Sequence, residues 1–164
     1  MRFECCPKCG SKLVGREIGD EGLVPFCENC KRPWFDMFST CVICLLYADR
    51  NKFALLKQDY LSRGHHVCVS GYMTPGESAE QTCVREVKEE IGLDALQVDY
   101  LGSWFYDKRD QLMLGFAVKI PEEKFVLSCE VDEAQWFDLE GAKKATEGAA
   151  ICQKLIDEFL KKDL

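Results

Sequence analysis

Residues Gly71 to Leu93 read GYMTPGESAEQTCVREVKEEIGL, and the way this stretch folds decides the architecture around it. At about 100° per residue, Glu86, Glu89 and Glu90 fall within about a third of a helix circumference and project in nearly the same direction. Val84, Val87 and Ile91 occupy the neighbouring arc, so the helix is expected to dock through them and leave an acidic ridge exposed. Like charges at these spacings repel, and a hard cation removes the repulsion. Mg²⁺ and Mn²⁺ prefer oxygen ligands and keep positions open for water and phosphate oxygens. On spacing alone, a solvated acidic helix face is the commoner outcome.

The flanking residues decide between these two readings. Gly71, Pro75 and Gly76 supply a turn-rich loop that can return Glu77 towards the ridge; Ser78 suits a helix cap and Gly92 a helix end. The whole string satisfies G-x5-E-x7-R-E-U-x-E-E-x-G-U, with U aliphatic and no position missing. About nine fixed positions make a chance match improbable. The stretch resembles the Nudix box. That resemblance implies an α/β/α sandwich with a mixed sheet (α+β or α/β in class). It also implies hydrolysis of a nucleoside diphosphate linked to some moiety X, with a divalent metal. It assigns Glu86, Glu89 and Glu90 to metal binding or water activation, and Arg85 to holding Glu77.

A second signal opens the chain. Cys6-Pro-Lys-Cys9 and Cys27-Glu-Asn-Cys30 are C-x2-C hooks that together can offer four thiolates to one ion, the pattern of a zinc ribbon. Tetrahedral thiolate sites accept zinc or iron, and spacing does not choose between them. Cys5 adjoins Cys6, but Cys6 has the proper spacing to Cys9. Such a closed site staples a segment too short to build its own core. The ribbon mixes Lys8, Lys12 and Arg16 with Glu17, Asp20 and Glu28, so no basic footprint for nucleic acid emerges. The cysteines total eleven, an odd number, and the opening MRFECC has no hydrophobic signal segment. Free thiols in a reducing cytoplasm are therefore expected over disulfides.

The expected organisation is a ribbon over residues 1–34 and a catalytic domain over 35–164. The chain of 164 residues leaves room for one core of ordinary size after the ribbon. A net charge of −7 argues against general binding to nucleic acid or anionic membrane, and no run is long enough to span a bilayer. Strands are expected at CVICLLY from residue 41, at KFALLKQ, at His66 to Ser70, at Leu96 to Tyr106, at Leu112 to Ile120 and at Gln135 to Phe137. Apolar residues from Ala149 to Leu160 recur at helical spacing and predict a closing amphipathic helix. His65 and His66 are read as structural, since the box already supplies carboxylates.

A ribbon followed by a Nudix box is similar to the NADH pyrophosphatase branch of the family, over nearly the whole chain. That resemblance adds Glu130 to the metal site and implies a homodimer acting on a small nucleotide, with NADH, NAD or ADP-ribose foremost. The branch typically shows S-Q-P-W-P-F-P-x-S-L-M where this chain has SWFYDKRDQLM, Ser103 to Met113. Length and ends match, but the prolines are gone and Lys108 and Arg109 enter. Trp104, Phe105 and Tyr106 can stack on a base, with at most two of them sharing a face of the strand. Arg63 is a further candidate for a phosphate contact. Two other functions fit the same features: a sanitising hydrolase of nucleoside triphosphates, and a non-enzymatic ribbon module with a nucleotide-sensing Nudix domain.

Overall fold

One thiol hook precedes a small β-meander and the other forms its second turn, in the first of two compact units, Met1–Ser39. In this computed structural model, which describes residues 3–59 and 64–162, β1 (Val14–Glu17), β2 (Leu23–Cys27) and β3 (Arg32–Pro33) pair antiparallel in that order. Among the described residues its buried apolar side chains are Cys6, Val24, Phe26 and Cys27, too few to hold a fold without a staple. Trp34 belongs with this meander. Its amide donates to the Pro25 carbonyl at 2.8 Å, its ring meets Phe3 edge-on at 5.9 Å, and the Arg32 guanidinium lies 4.4 Å above it.

The second unit, Thr40–Leu164, is built on a six-stranded sheet. Its strands are β4 (Ser39–Asp49), β5 (Lys52–Lys57), β6 (Val69–Tyr72), β7 (Gln97–Tyr106), β8 (Gln111–Lys119) and β9 (Glu133–Phe137). The order is β7-β8-β4-β5-β9, with β6 also paired to β4. Gln111 lies against Cys41 while the Ile120 amide bonds the Tyr47 carbonyl, so β8 and β4 run in the same direction in an otherwise antiparallel sheet. Helix α1 (Ala79–Ile91) covers one face, and α2 (Leu139–Ala145) and α3 (Ala150–Leu160) cover the other. This is the α/β/α sandwich with a mixed sheet.

Two separate cores follow from period-two alternation in the central strands. Val42, Cys44 and Leu46 of β4 face α1, where they meet Cys83, Val87 and Ile91. Ile43, Leu45 and Tyr47 face the other way, towards Leu155, Ile156 and Phe159 of α3. Because both faces are covered, Phe53 to Leu56 of β5 are all buried. The strand expected at KFALLKQ is therefore buried on both faces over these four residues.

Two further departures have local causes. The strand before the box lies at Val69–Tyr72 and not at His66–Ser70, because pairing with β4 runs from Cys44↔Val69 to Cys41↔Tyr72. Val67 makes only an isolated bridge to Leu56 of β5. Helix α2, LEGAKKA, lacks an apolar stripe long enough to announce itself; Asp138 caps it by accepting from the Gly141 amide at 2.7 Å. Among the described residues, no helix is long and apolar enough to cross a membrane.

Candidate functional site

Local sequence fixes where α1 begins and ends. The Ser78 hydroxyl accepts from the Gln81 amide at 3.3 Å, and the Gln81 side chain accepts from the Ser78 amide at 2.8 Å, a reciprocal capping box. Gly92 closes the helix with φ 75°, a left-handed conformation that favours glycine. The buried stripe is Cys83, Val87, Glu90 and Ile91, whereas Val84 is 44% exposed. The helix is thus rotated from the expected docking face. Glu90, expected on an open ridge, is only 6% exposed.

Arg85 organises the carboxylates. Its Nε donates to Glu77 Oε1 at 2.8 Å, Nη1 to Glu86 Oε1 at 2.6 Å and to Glu89 Oε2 at 3.0 Å, and Nη2 to Glu77 Oε2 at 3.1 Å and the Tyr72 carbonyl at 3.0 Å. Five bonds match the five N–H groups of a guanidinium. The Thr82 hydroxyl adds a bond to Glu77 Oε2 at 3.1 Å. With Arg85 foremost and Thr74 and Thr82 helping, the Glu77 carboxyl is held down to about 2.

The remaining carboxylates shift the other way. Burial raises Glu86, against the pull of Arg85. Burial also pushes Glu90 up to about 8, reinforced by the charges of Glu86, Glu130 and Glu89. Keeping Glu90 ionised there costs on the order of 5 kcal/mol. Burial of Val87 and Ile91, about 1.5–3 kcal/mol each, offsets this and holds the helix down. Gln58, buried at the end of β5, approaches with its Nε2 at 3.5 Å from Glu90 Oε2. Glu130 reaches the same neighbourhood through a turn, since the Ser128 amide donates to the Glu90 carbonyl at 3.1 Å.

Gly71 has a different role from the one its place in the box suggested. It lies within β6, and a Cβ built on it would stand 1.9 Å from the Glu86 carboxylate. Glycine is needed there for close approach and not for a turn. Gly76, with φ 96°, is the loop residue that needs positive φ. A glycine inside a strand pattern was the signal that could have found this contact. Nothing comparable in the sequence marked Gln58 or Thr82.

The three aromatic candidates separate by alternation. Trp104 pairs with Met113 and Tyr106 with Gln111, and both rings pack on the core beneath α3; Trp104 fills the space that Gly115 leaves open. Phe105, paired with Leu112, points to the opposite face, the one that carries α1, and is 49% exposed. Arg63 lies outside the described residues. The His66 amide donates to the Ala145 carbonyl at 2.8 Å and its ring packs on Phe137 at 4.9 Å, while burial lowers its pKa. His65 lies beside Gly148 near α2.

In the ribbon, the sulfurs of Cys6, Cys9, Cys27 and Cys30 lie within 4.8 Å of one another, with Cys9–Cys27 at 3.6 Å and Cys6–Cys30 at 3.9 Å. Tetrahedral zinc with ~2.3 Å bonds to sulfur requires sulfur separations of about 3.8 Å, so the quartet fits the ion. The hydroxyl of Ser11, 3.4 Å away, lowers the Cys9 thiol pKa. Cys5 is exposed, and its backbone bridges to Lys12. Among the described residues, no other set of three or more such side chains converges as closely. The glutamates spread more widely because Arg85 draws on Glu77, Glu86 and Glu89 together. The remaining cysteines are buried except Cys129.

A family model of the NUDIX domain matches residues 37–159. The chain belongs to the Nudix family. Among curated relatives, the NAD-capped RNA hydrolase NudC of Pseudomonas aeruginosa (strain LESB58) is 29% identical over 161 residues, covering 94% of this chain and 55% of the relative. That of Vibrio atlanticus (strain LGP32) is 27% identical over 158 residues, covering 96% and 56%. The chain thus spans about half the length of the curated relatives it matches. The crystal structure of a NUDIX hydrolase from Nitrosomonas europaea superposes with TM-score 0.77 at 20% identity, covering 98% of this chain and 92% of that one. A C. elegans Ap4A hydrolase binary complex gives 0.63 at 24% identity, covering 75% and 96%. These structures share the Nudix fold, and the chain carries a NUDIX domain with an intact box.

Proposed function

We propose that this chain is a pyrophosphohydrolase dependent on Mg²⁺ or Mn²⁺ that cleaves the diphosphate of a nucleoside diphosphate linked to X. The observation that carries this reading is the mounting of the box: one arginine ties Glu77, Glu86 and Glu89 together while Glu90 is buried beside them. A carboxylate raised to about 8 by burial and by neighbouring anions is a position where positive charge is favoured, and all the donors are hard oxygens. Glu86, Glu89, Glu90 and Glu130 are the residues that would hold a divalent ion. When bound, the ion supplies charge neutralisation at the diphosphate and makes water more acidic.

The chain's own groups do the positioning. Arg85 holds Glu77 and the loop from Tyr72 in register with the helix. A ridge carboxylate takes the proton from the attacking water. Phe105, exposed on the α1 face, offers a stacking surface for a base. A substrate of dinucleotide type is supported by the similarity to NAD-capped RNA hydrolases over 94% of the chain. On this reading residues 1–34 form a structural zinc ribbon, residues 35–164 the catalytic domain, and the protein acts in the cytoplasm as a homodimer.

A mass-spectrometric screen of NADH, NAD⁺, ADP-ribose, diadenosine polyphosphates and nucleoside triphosphates with each metal tests the proposal. Two mononucleotides from NADH or NAD⁺ are expected. Monophosphate plus pyrophosphate from triphosphates alone points instead to a sanitising hydrolase. Full metal-dependent turnover by a folded Glu89→Gln or Glu90→Gln variant would sink the site assignment.

A further inference from the structure

The hairpin joining β7 to β8 carries a cation pair that the proposed reaction does not use. Its tip, Asp107-Lys108-Arg109-Asp110, is a short 3-10 turn closed by Asp110 at φ 48°, a left-handed conformation uncommon outside glycine. The turn is therefore a defined one. Among the described residues, no hydrogen bond or ion pair engages the side chain of Lys108 or Arg109.

A short chain of contacts sets this tip beside the acidic site. Tyr106 and Gln111 form the last rung of the ladder below it. Gln111 is buried, and its Nε2 donates to the Tyr72 hydroxyl at 2.7 Å and approaches the Cys41 sulfur at 3.4 Å. The Tyr72 carbonyl in turn accepts from Arg85. The Cys41 thiol registers both neighbours, Glu86 raising its pKa and Arg109 lowering it, after the larger effect of burial. Phe105, one residue before Tyr106, opens on the α1 face. The tip thus borders the place where a nucleotide would lie.

Asp107 and Asp110 flank the pair, so the tip has no formal net charge and exerts little long-range pull. It discriminates by contact. A guanidinium and an ammonium carried by consecutive residues of one turn can approach a phosphate oxygen cluster from two sides, and a carboxylate ridge offers no direct partner to such a group.

We propose that Lys108 and Arg109 bind a phosphomonoester that the substrate carries on a ribose, outside the scissile diphosphate, so that the chain selects ribose-phosphorylated dinucleotides over plain ones. The inference rests on the dinucleotide reading above. Two measurements separate the fates of the two ideas: kcat/KM for NADPH against NADH, and calorimetric affinity for adenosine 2′,5′-bisphosphate against AMP, which needs no turnover. A preference of about tenfold or more is expected in both. Lys108→Gln with Arg109→Gln should reduce it to near unity with the melting temperature retained, and the exchange Lys108→Arg with Arg109→Lys should keep it. Equal values in the unaltered protein, or a preference that survives the double glutamine variant, overturns the proposal. Failure to cleave any dinucleotide, with the bisphosphate preference intact, sinks the dinucleotide reading and leaves phosphomonoester binding at the tip standing.

Discussion

A methyl group on Gly71 would stand 1.9 Å from the carboxylate of Glu86, so strand β6 and helix α1 meet backbone against side chain. Gly71→Ala should displace Glu86 while leaving both cores intact. Displacement of a catalytic group by about 1 Å lowers turnover on the order of 100-fold. Steady-state kinetics with melting curves checks this, and unchanged kcat would show that Glu86 tolerates the shift.

Arg85→Lys keeps the charge but presents three donors where five are used. It should lose the paired contact to Glu77 and destabilise the protein by about 2 kcal/mol, the scale of hydrogen bonds to charged groups. Denaturant melts measure this directly. A loss below ~0.5 kcal/mol would mean the network contributes little.

Glu90 makes the metal-free protein sensitive to alkali. Its folded pKa of about 8 lies above the ordinary carboxylate value, so stability is full below that ordinary value and is lost as pH rises through about 8. Melting temperatures in chelator should therefore fall between pH 5 and 8, by roughly 5 °C or more. Glu90→Gln should flatten that fall and also abolish stabilisation by Mg²⁺ or Mn²⁺. A parallel decline in the variant counts against the buried carboxylate as its cause.

Glu77 acts at the other end of the pH scale. Arg85 holds its folded pKa at about 2, below the ordinary value, so its contribution is present above that value and is lost as pH falls towards 2. The Tm difference between the unaltered protein and Glu77→Gln should shrink steadily over that acid window. A constant difference from pH 6 to 2.5 contradicts the assignment.

Much of the site was legible because the box couples identity to spacing. Arg85 and Glu77 are eight residues apart, yet a capped helix and one loop bring them to 2.8 Å. The ribbon was legible for the same reason, two hooks specifying four convergent sulfurs. Burial of Glu90 was not legible. Periodicity assigns an arc but not its rotation, and Cys83, outside the arc of Val84, Val87 and Ile91, joins Val87 and Ile91 in the core to turn Glu90 inward. The fate of Trp104 depended on Gly115, a partner that strand alternation alone does not name.

The quartet of thiols predicts one tightly bound zinc per chain. Metal analysis of protein purified without added metal should find it, and Cys27→Ser should lose it together with the order of the meander. Retention of one equivalent by the variant would place the ion elsewhere.

Arg85 has a consequence for sequence tolerance. Because one side chain joins the end of a strand, a loop and two turns of helix, it behaves as a non-covalent cross-link whose geometry does not depend on the loop's own preferences. Apart from Thr74, which helps to hold Glu77, the residues between need only deliver the chain from one anchored end to the other. Variation should therefore accumulate between the anchors, while the anchors themselves stay fixed as a single frame.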